Sequence, residues 1–428
     1  MTTNHSRKSI AIIGSGISGL SCAYHLHKNF NVTVFEKESR LGGHTDTHLF
    51  NIDNIDTPID SGFIVFCRQY YPHFSAMLDD FKIESQTTDM SFSAFNRKTG
   101  LVYNATSISG LFCQRKNLFN LRFYRMIFDI VRFYTSAKKN YMQLDESISL
   151  DNYLSAKHYS TTFKEDHLYP MVSALWSATP ERVKEFPIKH LIEYMSKHGM
   201  MKLINRPEWL VIKGGSKQYI SALQKKINCE WRTETIINKI MRSNNGVEIA
   251  LSSGAIEKFD KVIFATHSNQ ALELLDAPSQ SEQEILGDIE FEKNHTVVHT
   301  DESVMHANKL SWASWNTEVP TEYNPNTLKC CTANYWMNSL MSLSLKTNVF
   351  TSLNSHQTID PEKILVERYY FHPIFTAKSV AAQKSKHIID GQNHSYFVGA
   401  YWGWGFHEDG ARSAVNVCRK IKEEFISD

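Results

Sequence analysis

Ser9-Ile-Ala-Ile-Ile13-Gly14-Ser15-Gly16-Ile17-Ser18-Gly19 decides the fold. Ser9 to Ile13 is a short apolar, β-branched run of the kind that forms a buried strand. A GxGxxG turn follows without a gap. Leu20 to Lys28 then reads as a helix, with Leu20, Ala23, Tyr24 and Leu26 available to pack. Asn31 to Phe35 is a second β-rich run, closed by Glu36. Strand, glycine turn, helix, strand and acid, in that order, make a dinucleotide-binding βαβ unit. Gly14 permits the tight turn, Gly16 lets a pyrophosphate approach the backbone, and Gly19 lets helix and sheet pack closely. Ser15 and Ser18 lie in the same turn, where free N–H groups and the positive helix end face the phosphates. Glu36 follows Gly14 by about 20 residues, the spacing at which an acid accepts hydrogen bonds from a ribose.

The next residues, Glu36-Lys37-Glu-Ser-Arg40-Leu-Gly42-Gly43-His44-Thr45, extend the unit as ExxxRxGG. Two further glycines let backbone approach a ligand again, and Arg40 offers a guanidinium to a phosphate. A nicotinamide site does not need this second clamp. These residues resemble the flavin amine oxidoreductase superfamily, which includes monoamine oxidases, protoporphyrinogen oxidases and phytoene desaturases. The resemblance implies FAD as cofactor, held by the residues from Gly14 to Thr45 named above. It continues at Asp60-Ser-Gly62-Phe63-Ile-Val-Phe66, where the matching strand passes near the flavin, and at Ile212-Lys-Gly214-Gly215, a glycine pair before a helix. Glu230 to Ile240 reads as one strand segment, with Ile236 at the adenine-side backbone contact that the resemblance implies. Asn244-Asn245-Gly246 is a hairpin turn, and Lys261-Val-Ile-Phe-Ala-Thr266 a buried parallel strand. At the C-terminus, Ser395 to Val398 is a strand, Gly399-Ala400 a turn, and Asp409 or Gly410 starts a helix. The resemblance points that helix at the flavin pyrimidine edge and makes Gly399, Asp409 and Gly410 cofactor contacts. Where many relatives carry Gly-Asp at the strand end, this chain has Gly399-Ala400. The fold implied is α/β: a Rossmann-type FAD-binding domain (8–70, 206–270 and 390–428) interleaved with an α+β substrate domain (71–205 and 271–389).

A narrower resemblance rests on Asp89-Met-Ser-Phe-Ser93, Ala265-Thr-His267, His299-Thr-Asp301, Tyr335-Trp-Met-Asn338, Phe371-His-Pro373 and Gly399-Ala-Tyr-Trp-Gly-Trp-Gly-Phe-His-Glu-Asp-Gly410. These are similar to NAD/FAD-binding proteins of the amine-oxidase type that accompany cyclopropane-fatty-acid synthase. The likeness implies a functional link to a cyclopropane-synthase-like methyltransferase and a fatty-acyl substrate, oxidised or desaturated by hydride transfer to flavin. Two other readings stay open. One is an amine oxidase. The other is a flavin-bound partner that presents lipid to the methyltransferase without catalysis, which the missing acid at Ala400 favours.

Flavin carries the redox chemistry, so the protein supplies position, water exclusion and a base. His299, His372 and His407 are candidate bases, because imidazole titrates near neutrality; each alone fits a structural hydrogen-bonder equally well. His295 lies near where amine-oxidase relatives place a flavin-side lysine. Tyr401, Trp402, Trp404 and Phe406 suit the aromatic walls of a substrate site, with Tyr401 as a catalytic candidate; the plain alternative is core packing. The same choice holds for Trp176 and Trp209. Nineteen histidines come with no HExxH and no thiolate pair, so no metal site is expected. The seven cysteines (Cys22, Cys67, Cys113, Cys229, Cys330, Cys331 and Cys418) form no CxxC and fit free thiols in a reducing cytoplasm.

Leu118 to Tyr134 is unusual. Arg122, Arg125, Asp129 and Arg132 recur at helical spacing as one narrow polar stripe, and nearly every other residue is apolar. Such a helix lines a buried substrate domain or makes a peripheral contact on the inner membrane face. No run of 18 apolar residues exists, so no spanning helix is expected. With 46 basic and 45 acidic residues among 428, the chain lacks the electrostatic signature of a nucleic-acid binder. At 42% hydrophobic and 21% charged residues it is not a disordered or fibrous protein.

Overall fold

The computed structural model describes residues 7–176, 178–202, 204–321 and 332–427, so Cys330 and Cys331 lie outside the described residues. A five-stranded parallel sheet runs in the order Glu230–Arg232, Asn31–Phe35, Ser9–Ile13, Lys261–Phe264, Ser395–Phe397. Ile10 and Ile12 point to one face, where helices Ile17–Leu26 and His407–Ser427 cover them through Cys22, Ala23, Leu26, Ala414, Val417 and Ile421. Ala11 and Ile13 point to the other face, against the antiparallel sheet Ile237–Ser243, Gly246–Leu251, Ile256–Phe259. Burial on both faces is why the first strand reads as an unbroken apolar run.

The chain from Glu230 does not continue as one strand. Glu230–Arg232 closes the parallel sheet, and Ile237–Ser243 begins the antiparallel one. Between them Glu234 adopts a φ of 53° and Thr235 N–H donates to Glu36 O. That left-handed residue turns the chain out of the first sheet, and β-rich composition cannot show such a break. The first helix starts at Ile17, three residues before Leu20, because helical geometry sets in directly after Gly16.

The second half of the molecule is a seven-stranded, mainly antiparallel sheet in the order Ile364–Pro373, Phe291–His299, Phe350–Leu353, Thr332–Trp336, Trp315–Val319, Phe92–Asn96, Leu101–Asn104. Helices Leu121–Asn140, Leu150–Ala156, Tyr169–Trp176 and Ile188–Lys197 pack beside it around Phe123, Met126, Phe133, Phe163, Leu191 and Met195. The narrow polar stripe of helix Leu121–Asn140 is interrupted by burial at its acid. Asp129 is fully buried, paired with Arg125 (3.3 Å) and Arg132 (3.0 Å), and accepts from Ser160 N–H (2.9 Å). A carboxylate is tolerated there because two guanidinium groups flank it and the Ser160 N–H donates to it.

Asp60 ties the two halves of the cofactor side together. It accepts from Ser216 N–H (3.0 Å), Ser216 Oγ (2.7 Å) and Thr47 Oγ1. Burial pushes its carboxyl up to about 6, against the pull of the Thr47 and Ser216 hydrogen bonds. The folded value therefore lies above the unfolded value of about 3.9. Between the two, the folded chain holds a proton that the unfolded chain releases, so this group's contribution falls as pH rises from about 4 to about 6. Asp60→Asn keeps a carbonyl for Ser216 N–H and cannot ionise. Urea denaturation across this range is expected to show a shallower fall in stability for the variant; identical slopes would refute the ionisation of Asp60 as their source.

Candidate active site

A cavity of about 960 Å³ opens at the carboxyl ends of the parallel strands, where open α/β sheets hold ligands. Ile13–Ser18, Phe35–Lys37 and Thr235–Ile237 line its nucleotide side. Gly42–His44, Ser61–Val65, Ala265–His267, Gly399–Tyr401 and Gly405–His407 form its middle. A further arm reaches toward the seven-stranded sheet and its helices between Phe92, Tyr134, Met171, Trp176, Tyr194, Met200, Trp209, Trp315, Tyr335 and Leu353.

The glycines divide by what surrounds them. A Cβ on Gly14, whose φ is +99°, would sit 2.9 Å from Ala265 O. One on Gly19 would sit 2.0 Å from Gly14 O, so Gly19 serves helix–sheet packing and does not line the cavity. A Cβ on Gly16 would have no protein atom within 4 Å, because it points into the cavity. This is a cradle left open for a ligand. Helix Ile17–Leu26 behind it has no acid in its first turn and no side chain capping its N–H groups, which suits an anion. Glu36 Oε2 accepts from Ser15 N–H (3.0 Å) and its Oε1 accepts from Glu38 N–H (3.0 Å), holding the carboxylate at the cavity wall. Ser18 and Lys37 also face the cavity.

Several expected contacts lie one layer back. Arg40 does not line the cavity: its guanidinium donates to Gly43 O (3.0 Å) and Thr45 O (3.1 Å) and pairs with Asp46 (3.1 Å). Through these contacts it shapes the Gly42–Thr45 loop. Thr45 Oγ1 is held by Tyr219 Oη (2.6 Å) and His407 Nε2 (3.1 Å). Asp409 Oδ2 accepts from Trp404 and Phe406 N–H (both 3.0 Å), and Oδ1 pairs with Arg412, so Asp409 organises the aromatic loop. Gly410 lets the last helix pack on the glycine turn; a Cβ there would meet Ser18 Oγ at 2.7 Å. That helix begins at His407. Gly43, His44, Gly62, Phe63 and Gly399 line the cavity, as does Ile236, which is half exposed at its rim.

His299 is not part of this site. It is fully buried in the seven-stranded sheet, bonded to Ser352 Oγ (2.7 Å) and accepting from Asp301 N–H (3.1 Å). Strand alternation turns it away from the cavity, while Thr296 faces in. His295 likewise faces Glu367 (3.3 Å) and stacks on Tyr369. Trp402 leaves the wall formed by Tyr401, Trp404 and Phe406. Trp176 and Trp209 do line it, and Trp176 Nε1 donates to Trp404 O (3.0 Å).

His372 lies in a group of imidazoles. His44 and His372 have ring centroids 5.5 Å apart, and His267 lies 6.3 Å from His44. Burial lowers His44 to about 4 and His267 and His372 to about 3. All three are therefore neutral at physiological pH, and an unprotonated imidazole nitrogen is a proton acceptor. His372 Nδ1 is engaged with Asn294 (3.1 Å). His44 Nε2, Thr296 Oγ1, Trp315 Nε1 and Trp404 Nε1 are buried without a hydrogen-bond partner, and all belong to cavity-lining residues. Buried polar atoms of this kind are costly unless a ligand meets them. Thr296, Trp315, and Tyr134 with His167 (Oη to Nε2, 3.4 Å) line the cavity without a signal in the sequence, because only sheet register and helix packing bring them here. His407, stacked on Phe63 at 3.5 Å, is a buried hydrogen-bonder.

The family model for flavin-containing amine oxidoreductases matches residues 17–340. The chain belongs to this family. It is an FAD-dependent oxidoreductase, and the Gly16 cradle, the uncapped helix and Glu36 fit that cofactor. No curated protein matches the sequence. Solved structures share the amine-oxidase fold. A CLA-producing fatty acid isomerase from P. acnes matches with a TM-score of 0.69 and 14% identity over 98% of this chain and 99% of that chain. Cyclohexylamine oxidase from Brevibacterium oxydans IH-35A gives 0.64 and 16% over 97% and 100%. Putrescine oxidase bound to putrescine gives 0.68 and 11% over 97% and 99%. At these identities the likeness is one of fold, and the arm beyond the cofactor must speak for its own substrate.

Proposed function

We propose that the chain oxidises a fatty-acyl substrate, removing a hydride from one carbon and a proton from its neighbour so that the two C–H bonds broken leave a double bond. The observation that carries this is the polarity of the substrate arm. Its walls are mainly aromatic and aliphatic, with neutral polar atoms such as Thr296 Oγ1 and Trp315 Nε1 among them and no buried carboxylate. Apart from Glu36, which is committed to the nucleotide side, the carboxylates lining the cavity are Asp89, Glu208 and Glu273, and all three are exposed. An ammonium ion entering the arm would find no buried counter-charge, whereas an acyl chain loses only water. Arg206, exposed and cavity-lining, supplies a cation for a carboxylate or phosphate head at the opening.

Held by the Gly16 cradle, the N-terminus of helix Ile17–Leu26 and Glu36, FAD would supply the acceptor for the hydride. The chain's own residues bind, orient and exclude water. Trp176, Tyr194, Trp404 and Phe406 form a packed aromatic wall, with Tyr194 and Phe406 stacked at 4.8 Å. We assign the accompanying proton to His44, which lines the cavity with its Nε2 lacking a hydrogen-bond partner. In this reading the link to a cyclopropane-synthase-like methyltransferase is one of shared acyl substrate, and it rests on the Gly399–Gly410 residues.

The test is anaerobic reduction of the yellow protein. Phospholipids or fatty acids with unsaturated or methylated chains are expected to bleach the flavin band, with product two hydrogens lighter by mass. Bleaching by amines alone would make the chain an amine oxidase. A flavin that neither class reduces, together with loss of methyltransferase output on deletion, would make it a non-catalytic partner. His44→Asn, which retains a side-chain hydrogen-bonding group and cannot take the proton, is expected to slow lipid-driven bleaching, measured per bound FAD, by roughly 100-fold or more. An unaltered rate would remove His44 from the reaction.

A further inference from the structure

We propose that the outward face of helix Leu121–Asn140, with the segment 108–119 beside it, is a docking surface for anionic lipid bilayers. Leu121, Tyr124, Phe128 and Val131 recur at i, i+3, i+7 and i+10 and share one side of the helix. That side is solvent-facing, with Leu121 85% and Phe128 57% exposed. The segment before the helix adds Ile108 at 81% and Phe119 at 91%. Tyr124 joins the two parts: its hydroxyl donates to Leu118 O (3.1 Å) and its ring lies 6.0 Å from that of Phe112. The helix needs none of these residues for its own packing, because Phe123, Met126, Phe133 and Ala137 fill its inner face. Soluble proteins rarely leave so continuous an apolar patch uncovered.

Charge identifies the occupant. Arg115, Lys116, Arg122, Arg125, Lys138 and Lys139 are all exposed around the patch. Asp129 is the sole acid between residues 99 and 144, and it is buried between Arg125 and Arg132. A second copy of the chain would bring the same cations face to face and be repelled. An anionic bilayer meets both features, with headgroups for the cations and an acyl boundary for the rings. No helix among the described residues is long and apolar enough to cross a membrane, so the contact lies in the interface plane. The patch also adjoins the cavity. Tyr134 lines it from the inner face of the same helix, and exposed Ala105 and Thr106 line it just before Ile108.

The docking claim does not depend on the acyl-substrate reading, because it is measured without turnover. FAD-loaded protein is mixed with vesicles of phosphatidylcholine, with or without phosphatidylglycerol, and floated. Co-flotation with the anionic vesicles, weakened by salt, is expected. Combined Phe119→Ser, Leu121→Ser and Phe128→Ser should reduce the bound fraction at least roughly tenfold. Combined Arg115→Gln, Lys116→Gln, Arg122→Gln, Lys138→Gln and Lys139→Gln should remove the preference for anionic lipid. Unchanged flavin content and circular dichroism establish that both variants are folded, and each alone suffices to test the claim. Absence of flotation by the parent protein, or flotation unaltered by either set, overturns it. So does a stable dimer or a specific protein partner that the serine variant releases while flotation persists.

Discussion

Gly16→Val is expected to give a folded but colourless protein. Gly16 has φ −63° and ψ 178°, which any L residue adopts, so the substitution carries no backbone strain. Its Cβ would meet no protein atom within 4 Å, so the native packing has room for it. The added isopropyl group instead occupies the cavity where the helix N-terminus meets the phosphates. Loss of that approach should weaken FAD binding by at least about 100-fold, or ~3 kcal/mol. Circular dichroism should match the parent, and the absorbance near the flavin band should vanish. Gly19→Val is the contrasting control: its Cβ lies 2.0 Å from Gly14 O, so the protein itself should fail to fold. Full flavin content in folded Gly16→Val would place the dinucleotide elsewhere.

Arg242→Ala is expected to cause a large loss of stability. Arg242 and Glu282 are 5% and 1% exposed. Arg242 Nη2 donates to Glu282 Oε2 and Ala277 O, both at 2.9 Å, and Ser279 N–H donates to Glu282 at 2.7 Å. Burial raises the Glu282 carboxyl, but the hydrogen bonds from Arg242 and Ser279 overcome this and hold it below its ordinary value. The folded value is thus depressed. Its stabilisation is present above the unfolded value of about 4.3 and lost as pH falls. Removing the guanidinium strands a buried carboxylate, at a cost of about 3–5 kcal/mol. The cost should be largest at neutral pH and shrink in acid, where Glu282 takes a proton. Strand Ile237–Ser243 directly follows the Thr235 and Ile236 wall of the cavity. Flavin release should therefore move to lower denaturant together with unfolding. A loss below about 1 kcal/mol at neutral pH, the size of a surface pair, would show that the pair is hydrated.

The nucleotide side was legible because its chemistry is local. A phosphate cradle needs glycine at fixed offsets, a strand before it, a helix after it and an acid beyond, all within one stretch from Ser9 to Glu36. The hairpin at Asn244-Asn245-Gly246 is local in the same way: two loop residues and a Gly246 φ of +120° set its register. Arg40 shows where such reading stops. Its residue type suits a phosphate, but the carbonyls of Gly43 and Thr45 and the Asp46 carboxylate lie closer and take it.

The substrate side was not legible in this way, because nothing within a few residues distinguishes its members. His299 and His372 look alike along the chain. The pairing of Phe291–His299 between Ile364–Pro373 and Phe350–Leu353 sends one into the sheet core and the other to the cavity. Asp129 reads as one of four polar residues on a helix, yet Ser160 N–H, from a segment some thirty residues on, makes its burial tolerable. The residues themselves, through φ/ψ restriction, period and the demands of a phosphate, determined the dinucleotide fold and its cofactor. Which imidazole faces the ligand, and which face of helix Leu121–Asn140 meets solvent, were decided by long-range packing. Register and burial depend on partners far away in sequence, and one residue's shift in a strand reverses what it faces.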